Sequence, residues 1–210
     1  HKVFGAFSSE KLFNKKILDK KTSEEILKTH SSTRERFEYY TEIYERIFSE
    51  IKGKVSVIDF GAGINGFGYG YFKKLDLDVN YIGVEAIGQL VDLTNNYFIE
   101  KKLSGKIYHL SLFELEKIKK LVESCEKPRV IFLFKTIDSI ELLEKDYSKK
   151  LISELIEKCD RFVVSFATRS MISRRKFKVK RYWFENFVKQ NFNVLDDFEV
   201  GGERYIIFTK

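Results

Sequence analysis

The sequence predicts an α/β fold: a mostly parallel seven-stranded sheet with helices on both faces, a C-terminal antiparallel hairpin and a short helical N-terminal extension. Three observations carry this expectation. From residue 55 onward apolar strand runs alternate with helical segments, the pattern of parallel strands joined by crossovers. The last two strand runs, NVLDDFEV and ERYIIFT, are joined only by Gly201 and Gly202, which makes them a hairpin. Ahead of the first strand, two capping boxes open helical repeats.

In chain order, Thr22 to Glu25 is the first capping box and opens a short helix over 22–30. Ser32 to Glu35 is the second, and Phe37, Tyr40, Ile43, Tyr44, Ile47, Phe48 and Ile51 then recur at helical spacing, predicting one long amphipathic helix. Strand runs follow at 55–60, 79–85, 106–110, 129–134 and 161–166, with helical stretches such as 90–102 and 148–159 between them. One further helix, YWFENFVKQN, precedes the hairpin strands 193–200 and 203–209. Residues 1–52 are expected to form the extension and 53–210 the α/β domain; no repeat, low-complexity tract or linker interrupts them.

The composition excludes several classes. With 210 residues, 43% hydrophobic, 15% aromatic and a single Pro, one main domain is expected, with disorder excluded for most of the length. No apolar run reaches the ~18–20 residues that cross a bilayer, and HKVFGAFSSE lacks the layout of a signal peptide, so a cytoplasmic protein without a membrane partner is expected. Cys125 and Cys159 are too few and too far apart for a zinc motif or disulfide framework; they are expected to be buried free thiols, with no metal. His30 and His109 are expected to be surface or packing residues.

The net charge of +7 is not evenly spread. The segment 169–181, RSMISRRKFKVKR, holds Arg169, Arg174, Arg175, Lys176, Lys178, Lys180 and Arg181 and no acid, and the remaining 31 cations are balanced by 31 acids. One unneutralised block on a neutral domain suits a polyanion, most commonly a phosphate backbone. The alternative is a solvated loop with no partner.

Directly after the strand VSVIDF, Gly61-Ala62-Gly63-Ile64-Asn65-Gly66 satisfies G-x-G-x-x-G, and the next strand ends in Glu85, 26 residues after Asp59. Glycines let the backbone approach a ligand at a sheet's switch point, and an acid closing the second strand accepts from ribose hydroxyls. The template serves dinucleotides and S-adenosylmethionine alike. Asp59 separates them: beside a pyrophosphate, each unit of like charge at ~5 Å and a dielectric near 20 costs about 3 kcal/mol, whereas an ammonium and a sulfonium are attracted. The loop therefore favours S-adenosyl-L-methionine, with a purely structural turn as the plainer alternative. The carboxylate of that cofactor calls for a donor, and His30-Ser31-Ser32-Thr33-Arg34-Glu35-Arg36 supplies cations and hydroxyls at a helix start. A capped helix with solvent-exposed arginines is the alternative there.

HSSTRER at 30–36, VIDFGAGINGF at 57–67, YIGVEAI at 81–87, FLFKTIDSIE at 132–141, VVSFATRS at 163–170 and VGGERYIIF at 200–208 occur in that order. Together they resemble the 16S ribosomal RNA guanine-N7 methyltransferases of aminoglycoside resistance and their archaeal relatives, over residues 30–210. HSSTRER and VVSFATRS are the motifs specific to that group. The resemblance implies a Rossmann-like class I S-adenosylmethionine-dependent methyltransferase acting on the decoding region of small-subunit rRNA, with rRNA or the small ribosomal subunit as partner. By the same resemblance Thr33, Arg34 and Arg36 would hold the methionyl end, Asp59, Gly61 and Gly63 the loop side, Glu85 the ribose, and Ala86, Ile87, Ser111 and Leu112 the adenine. Lys135, Ser165, Phe166 and Arg169 would border the target pocket, Trp183, Phe184 and Glu185 match a W-F-E segment, and Arg174 and Arg175 fall in the basic loop. The N-terminal part is shorter than in the resistance enzymes, Ser111 stands where an acid is usual, and Gly66 and Asp138 replace prolines.

Guanine N7 attacks with an in-plane lone pair and has no proton to lose, so alignment and not a general base is the expected catalytic device. A base inside a helix must be flipped or unstacked and then held by stacking, for which Trp183, Phe166 and Phe67 are the candidates, Phe67 being the one expected to pack in the core. FLFKTID occupies the place of the Asp/Asn-Pro-Pro-aromatic signature of exocyclic-amine methylation, which favours a ring nitrogen. The alternatives are a cytosine N4 target in the same rRNA, a non-catalytic RNA-binding assembly factor, and a nicotinamide oxidoreductase using the same loop.

Overall fold

In the computed structural model, residues 22–168 and 181–210 are described. Seven strands form one sheet: β1 Gly53–Phe60, β2 Leu77–Glu85, β3 Gly105–His109, β4 Arg129–Phe134, β5 Arg161–Ala167, β6 Asn193–Val200 and β7 Glu203–Thr209, in the order β3-β2-β1-β4-β5-β7-β6. β1 to β5 pair in parallel; β7 runs antiparallel to both β5 and β6. The hairpin joined by Gly201 and Gly202 therefore forms as the sequence predicts, and both glycines adopt positive φ.

Helices α1 Ser23–Thr29, α2 Ser31–Arg36, α3 Tyr40–Ile47, α4 Gly70–Lys74 and α5 Gly88–Glu100 precede helices α6 Leu115–Ser124, α7 Ile137–Leu143, α8 Tyr147–Leu155 and α9 Tyr182–Asn191. Residues on β1 alternate between two cores. Val55 and Val57 meet apolar residues of α1, α3, α4 and α5, and Ile58 and Phe60 meet those of α6 to α9. Burial on both faces is why these strands read as nearly unbroken apolar runs. Asp59 shares the parity of Val55 and Val57, so an ionisable side chain is carried into the first core.

The long helix expected from Ser32 to Ile51 is divided. A 3-10 turn at Phe37–Tyr39 separates α2 from α3. It lies between Arg36, drawn to β7 by Glu203 and Tyr205, and Tyr40, whose ring is buried against Tyr44 and Tyr71, so both anchors cannot be met by one straight helix. The Thr22–Glu25 capping box is present. α2 begins one residue ahead of the second box, with His30 in the N-cap position, and the Glu35 carboxylate accepts from Lys135 Nζ at 2.5 Å. Ile26 and Leu27 of α1 and Ile43 and Ile47 of α3 are buried in the same core as Val55 and Val57 of β1. Among the described residues no helix is long and apolar enough to cross a membrane.

Candidate active site

The sheet order reverses beside β1, and a crevice opens at the carboxyl ends of the strands there, as open α/β sheets require. The ends of β1, β2 and β4, the segment after β3 and the start of α2 enclose a cavity of about 370 Å³, within the range of small-ligand pockets. The glycine loop forms its floor. Gly61 has φ +71° and Gly63 φ +50°, and the N–H groups of Gly61 and Ala62 donate to Val84 O at 2.8 and 3.1 Å, fastening the loop to β2. A Cβ at Gly63 would meet nothing nearer than Gly61 O at 4.0 Å, so the loop leaves bare backbone and open space. A Cβ at Gly61 would stand 2.6 Å from Thr136 Oγ1. Gly61→Ala should therefore lower stability by about 1–2 kcal/mol through the left-handed backbone alone, with more from displacing Thr136; thermal denaturation measures it.

Glu85 closes β2 and bonds the loop back to itself: Oε2 accepts from Gly63 N and Oε1 from Ile87 N, each at 2.9 Å. Each oxygen keeps a further lone pair for a hydroxyl. Ile87, Leu90, Leu110 and Leu112 make an apolar wall beyond it, with Ser111, whose hydroxyl accepts from Phe113 N at 3.3 Å. At the opposite end stand Asp59 and Arg36. Asp59 Oδ2 accepts from Asn65 Nδ2 at 2.7 Å and from the Tyr81 hydroxyl. Burial pushes the Asp59 carboxyl above the usual carboxylate range, opposed by those two hydrogen bonds and by Arg36.

Arg36 is 3% exposed. Its Nε donates to the Tyr205 hydroxyl at 3.1 Å, Nη1 to Asn65 Oδ1 at 3.1 Å and Nη2 to Glu203 Oε1 at 2.9 Å, and its guanidinium lies 4.6 Å from the Phe134 ring centre. These partners engage three of its five N–H groups. Glu203 Oε1 also accepts from the Ser165 hydroxyl, and Oε2 lies 3.3 Å from Lys135 Nζ. Burial works against the Glu203 carboxylate, but Arg36 and Lys135 outweigh it and hold its carboxyl below the usual range. His30 also lines the cavity; burial, with Arg36 and Lys135 nearby, lowers its pKa, so the imidazole is neutral at pH 7.

Of the residues singled out in the sequence, the structure brings Thr33, Arg36, Asp59, Gly61, Gly63, Glu85, Ala86, Ile87, Ser111, Leu112 and Lys135 to this one cavity. The Thr33 hydroxyl donates to Leu27 O at 2.5 Å, closing the turn between α1 and α2. Others lie elsewhere. Arg34 is exposed on α2 and off the cavity. Ser165 is fully buried behind it, bonded to Glu203. Phe166 is not a stacking platform: it is a core ring, edge-on to Phe184 at 6.2 Å and covered by the Arg181 guanidinium at 4.9 Å. Phe67 is likewise core, stacked on Tyr97 at 4.3 Å. Trp183 is 36% exposed, with Lys149 Nζ 5.4 Å from its ring centre, and does not line the cavity. Arg181, expected on the RNA face, instead pairs with Asp138 at 2.5 Å and Ala167 O at 2.9 Å. Arg169, Arg174, Arg175, Lys176, Lys178 and Lys180 lie outside the described residues.

Cys125 is buried and Cys159 half-buried, the latter with its thiol pushed up to about 12 by burial, so it is protonated and unreactive at neutral pH. No group of metal-ligating side chains occurs among the described residues. Chemically, the cavity offers an anion and a cation at one end, a hydroxyl-accepting carboxylate in the middle and an apolar slot at the other. That donor set, with open space over the backbone at Gly63, fits a nucleoside carrying a zwitterionic amino-acid tail.

The comparisons with known proteins agree with this architecture. The ribosomal RNA methyltransferase (FmrO) family model matches residues 19–207. The chain is 25% identical over 191 residues to the 16S rRNA (guanine(1405)-N(7))-methyltransferase of Proteus mirabilis, covering 88% of this chain and 64% of that relative's length. It shares its fold with the 16S rRNA methylase ArmA (TM-score 0.70, 23% identity, 95% of this chain and 96% of that one). The 16S rRNA methylase RmtB gives TM-score 0.77 at 20% identity over all of this chain and 78% of its own. The 16S rRNA methyltransferase RmtF, solved with S-adenosyl-L-homocysteine, gives 0.72 at 21% over all of this chain and 80% of its own. With the family model spanning nearly the whole sequence, this chain belongs to the FmrO family of ribosomal RNA methyltransferases.

Proposed function

We propose that this chain transfers a methyl group from S-adenosyl-L-methionine to a base of small-subunit ribosomal RNA, with a ring nitrogen, guanine N7, as the acceptor. The observation that carries the cofactor assignment is that Asp59 and Arg36, bridged by the Asn65 amide, line the same cavity as Glu85. In that assignment Asp59 faces the ammonium, Arg36 takes the carboxylate, Glu85 accepts from the ribose hydroxyls, and Ala86, Ile87, Ser111 and Leu112 flank the adenine. When bound, the cofactor supplies an electrophilic methyl on a sulfonium.

This chain's own contribution is alignment and electrostatics. A ring nitrogen carries its lone pair in the plane, so no side chain has to take a proton, and orienting the two reactants can account for ~7–11 kcal/mol of the barrier. Lys135 stands at the end of β4 with φ +53°, its Nζ held by Glu35 at 2.5 Å and facing Glu203 at 3.3 Å, so it is fixed at the cavity edge where a target base would enter. Asp59, Glu85, Glu203 and Glu35 outnumber Arg36 and Lys135 around the site, a balance that favours a cationic methyl donor over a pyrophosphate.

The proposed partner is rRNA or the assembled small subunit in the cytoplasm, reached through the basic segment 169–181, with residues 1–52 as an extension of the methyltransferase domain. Neutralising Arg174, Arg175 and Lys176 together should lower rRNA affinity and reduce its salt slope by up to ~3 units while leaving cofactor affinity intact; filter binding across a salt series measures it. The function itself is tested by incubating purified protein with small subunits or their rRNA and methyl-labelled cofactor, then digesting the RNA for mass spectrometry. 7-Methylguanosine is the expected product. N4-methylcytidine would move the target to the exocyclic amine, and tight rRNA binding with no label incorporated would leave a binding protein.

A further inference from the structure

We propose that Asn65 is a positioning residue: its amide is a neutral spacer that holds Asp59 and Arg36 apart, so that both charges stay open to the amino-acid end of the cofactor. The proposal rests on the assignment of the cavity to S-adenosylmethionine.

Asp59 and Arg36 are buried opposite charges bordering the same cavity. In a low-dielectric setting such groups are drawn into direct contact, and a closed pair would satisfy both and leave little for a ligand. The amide of Asn65 stands between them. Its Nδ2 donates to Asp59 Oδ2 at 2.7 Å, and its Oδ1 accepts from Arg36 Nη1 at 3.1 Å. The amide dipole thus points its oxygen at the cation and its N–H at the anion, relaying the attraction without neutralising either charge. Its orientation follows from its partners, because Oδ1 also accepts from the Tyr40 hydroxyl at 2.7 Å and two donors cannot face an amide NH₂. Burial raises the Tyr40 pKa, so that hydroxyl remains a donor. The backbone is fixed as well: Asn65 opens a 3-10 turn, and its N–H donates to Ala62 O at 2.8 Å. Asn65 is the fifth residue of Gly61-Ala62-Gly63-Ile64-Asn65-Gly66, a position the glycine template leaves unspecified.

The test separates the two ends of the ligand. Calorimetric titration of wild type, Asn65→Ala and Tyr40→Phe is done with S-adenosylhomocysteine and with 5′-methylthioadenosine, which has the adenine, ribose and thioether but no amino-acid end. Asn65→Ala should weaken S-adenosylhomocysteine at least tenfold and methylthioadenosine less than twofold. Tyr40→Phe, which keeps the ring and removes one donor to Oδ1, should give a selective loss of two- to fivefold and decides the matter if Asn65→Ala does not fold. Equal weakening of both nucleosides, or no change in either, overturns the spacer role and leaves Asn65 a structural residue. Wild-type protein that binds neither nucleoside overturns the cofactor assignment itself.

Discussion

Arg36→Ala should destabilise the protein by about 3–5 kcal/mol, the usual result of removing one partner of a buried pair and leaving the other charged and unpaired. Glu203, 2% exposed on β7, would keep the Ser165 hydroxyl and the more distant Lys135 but lose its guanidinium, and the Tyr205 and Asn65 oxygens would each lose a donor. For a chain of this size the thermal midpoint should fall by on the order of 10 °C. Cofactor affinity should fall too, so the single variant cannot separate the two roles. The double variant Arg36→Met with Glu203→Gln does: with both charges gone, most of the stability should return, while affinity for S-adenosylhomocysteine stays low. The acid limb gives a second check. In the wild type the Glu203 carboxyl is held below its ordinary value, so its contribution is present above the unfolded glutamate pKa and is lost as pH falls through the lower folded one. Without Arg36, burial dominates and the carboxyl is pushed up, so protonation relieves the penalty. The deficit of Arg36→Ala, measured by denaturant unfolding across pH, should be greatest near neutrality and shrink through the glutamate range. A constant deficit would mean that Arg36 acts through packing on Phe134 and not through Glu203.

The sheet was legible because its inner strands β1, β4, β5 and β7 are buried on both faces and read as apolar runs, while the outer strand β6 was marked by the glycine turn that joins it to β7. β4, β6, β7 and α9 fall on the residues that pattern and turn chemistry predict. What misled the helix reading was Arg36: periodicity sees an arginine as a solvent-facing residue, and only β7, 167 residues later, makes it a core one. The same long-range pairing hides Glu203, the one acid in ERYIIFT, whose burial follows only from its meeting Arg36 and Lys135. Asn65 was hidden for a different reason. Glycine templates describe backbone freedom and say nothing of the side chain between them, although a lone amide among Gly, Ile and Phe in a buried loop is itself a sign of a fixed polar contact. Phe166 shows the limit of motif transfer. A resemblance places it beside the target, but strand parity turns its ring toward α9 and Arg181.

Asp59→Asn should weaken S-adenosylmethionine about 100-fold while leaving the fold intact. The substitution is close to isosteric, and both hydrogen bonds that Asp59 accepts, from Asn65 and Tyr81, end on the same oxygen, Oδ2. An amide oxygen in that place keeps both, and the NH₂ group takes the position of Oδ1 at the cavity that Asp59 lines. What is lost is one unit of charge facing an ammonium, worth about 3 kcal/mol at ~5 Å and an effective dielectric near 20. Stability should change little, because a buried carboxylate with no cation in direct contact is itself costly. The pH dependence fixes the sign of the argument. Burial raises the Asp59 pKa, so in the free protein a proton competes with the ammonium for the carboxylate at a higher pH than for an ordinary Asp. Wild-type affinity should therefore fall as pH drops toward and through that raised value, and the Asp59→Asn variant should give weak binding that is flat over the same interval. Calorimetric titration from neutral to mildly acid pH distinguishes the cases. If the variant binds within threefold of wild type, the carboxylate serves only Tyr81 and Asn65, and the case for a cationic donor at this end of the cavity falls.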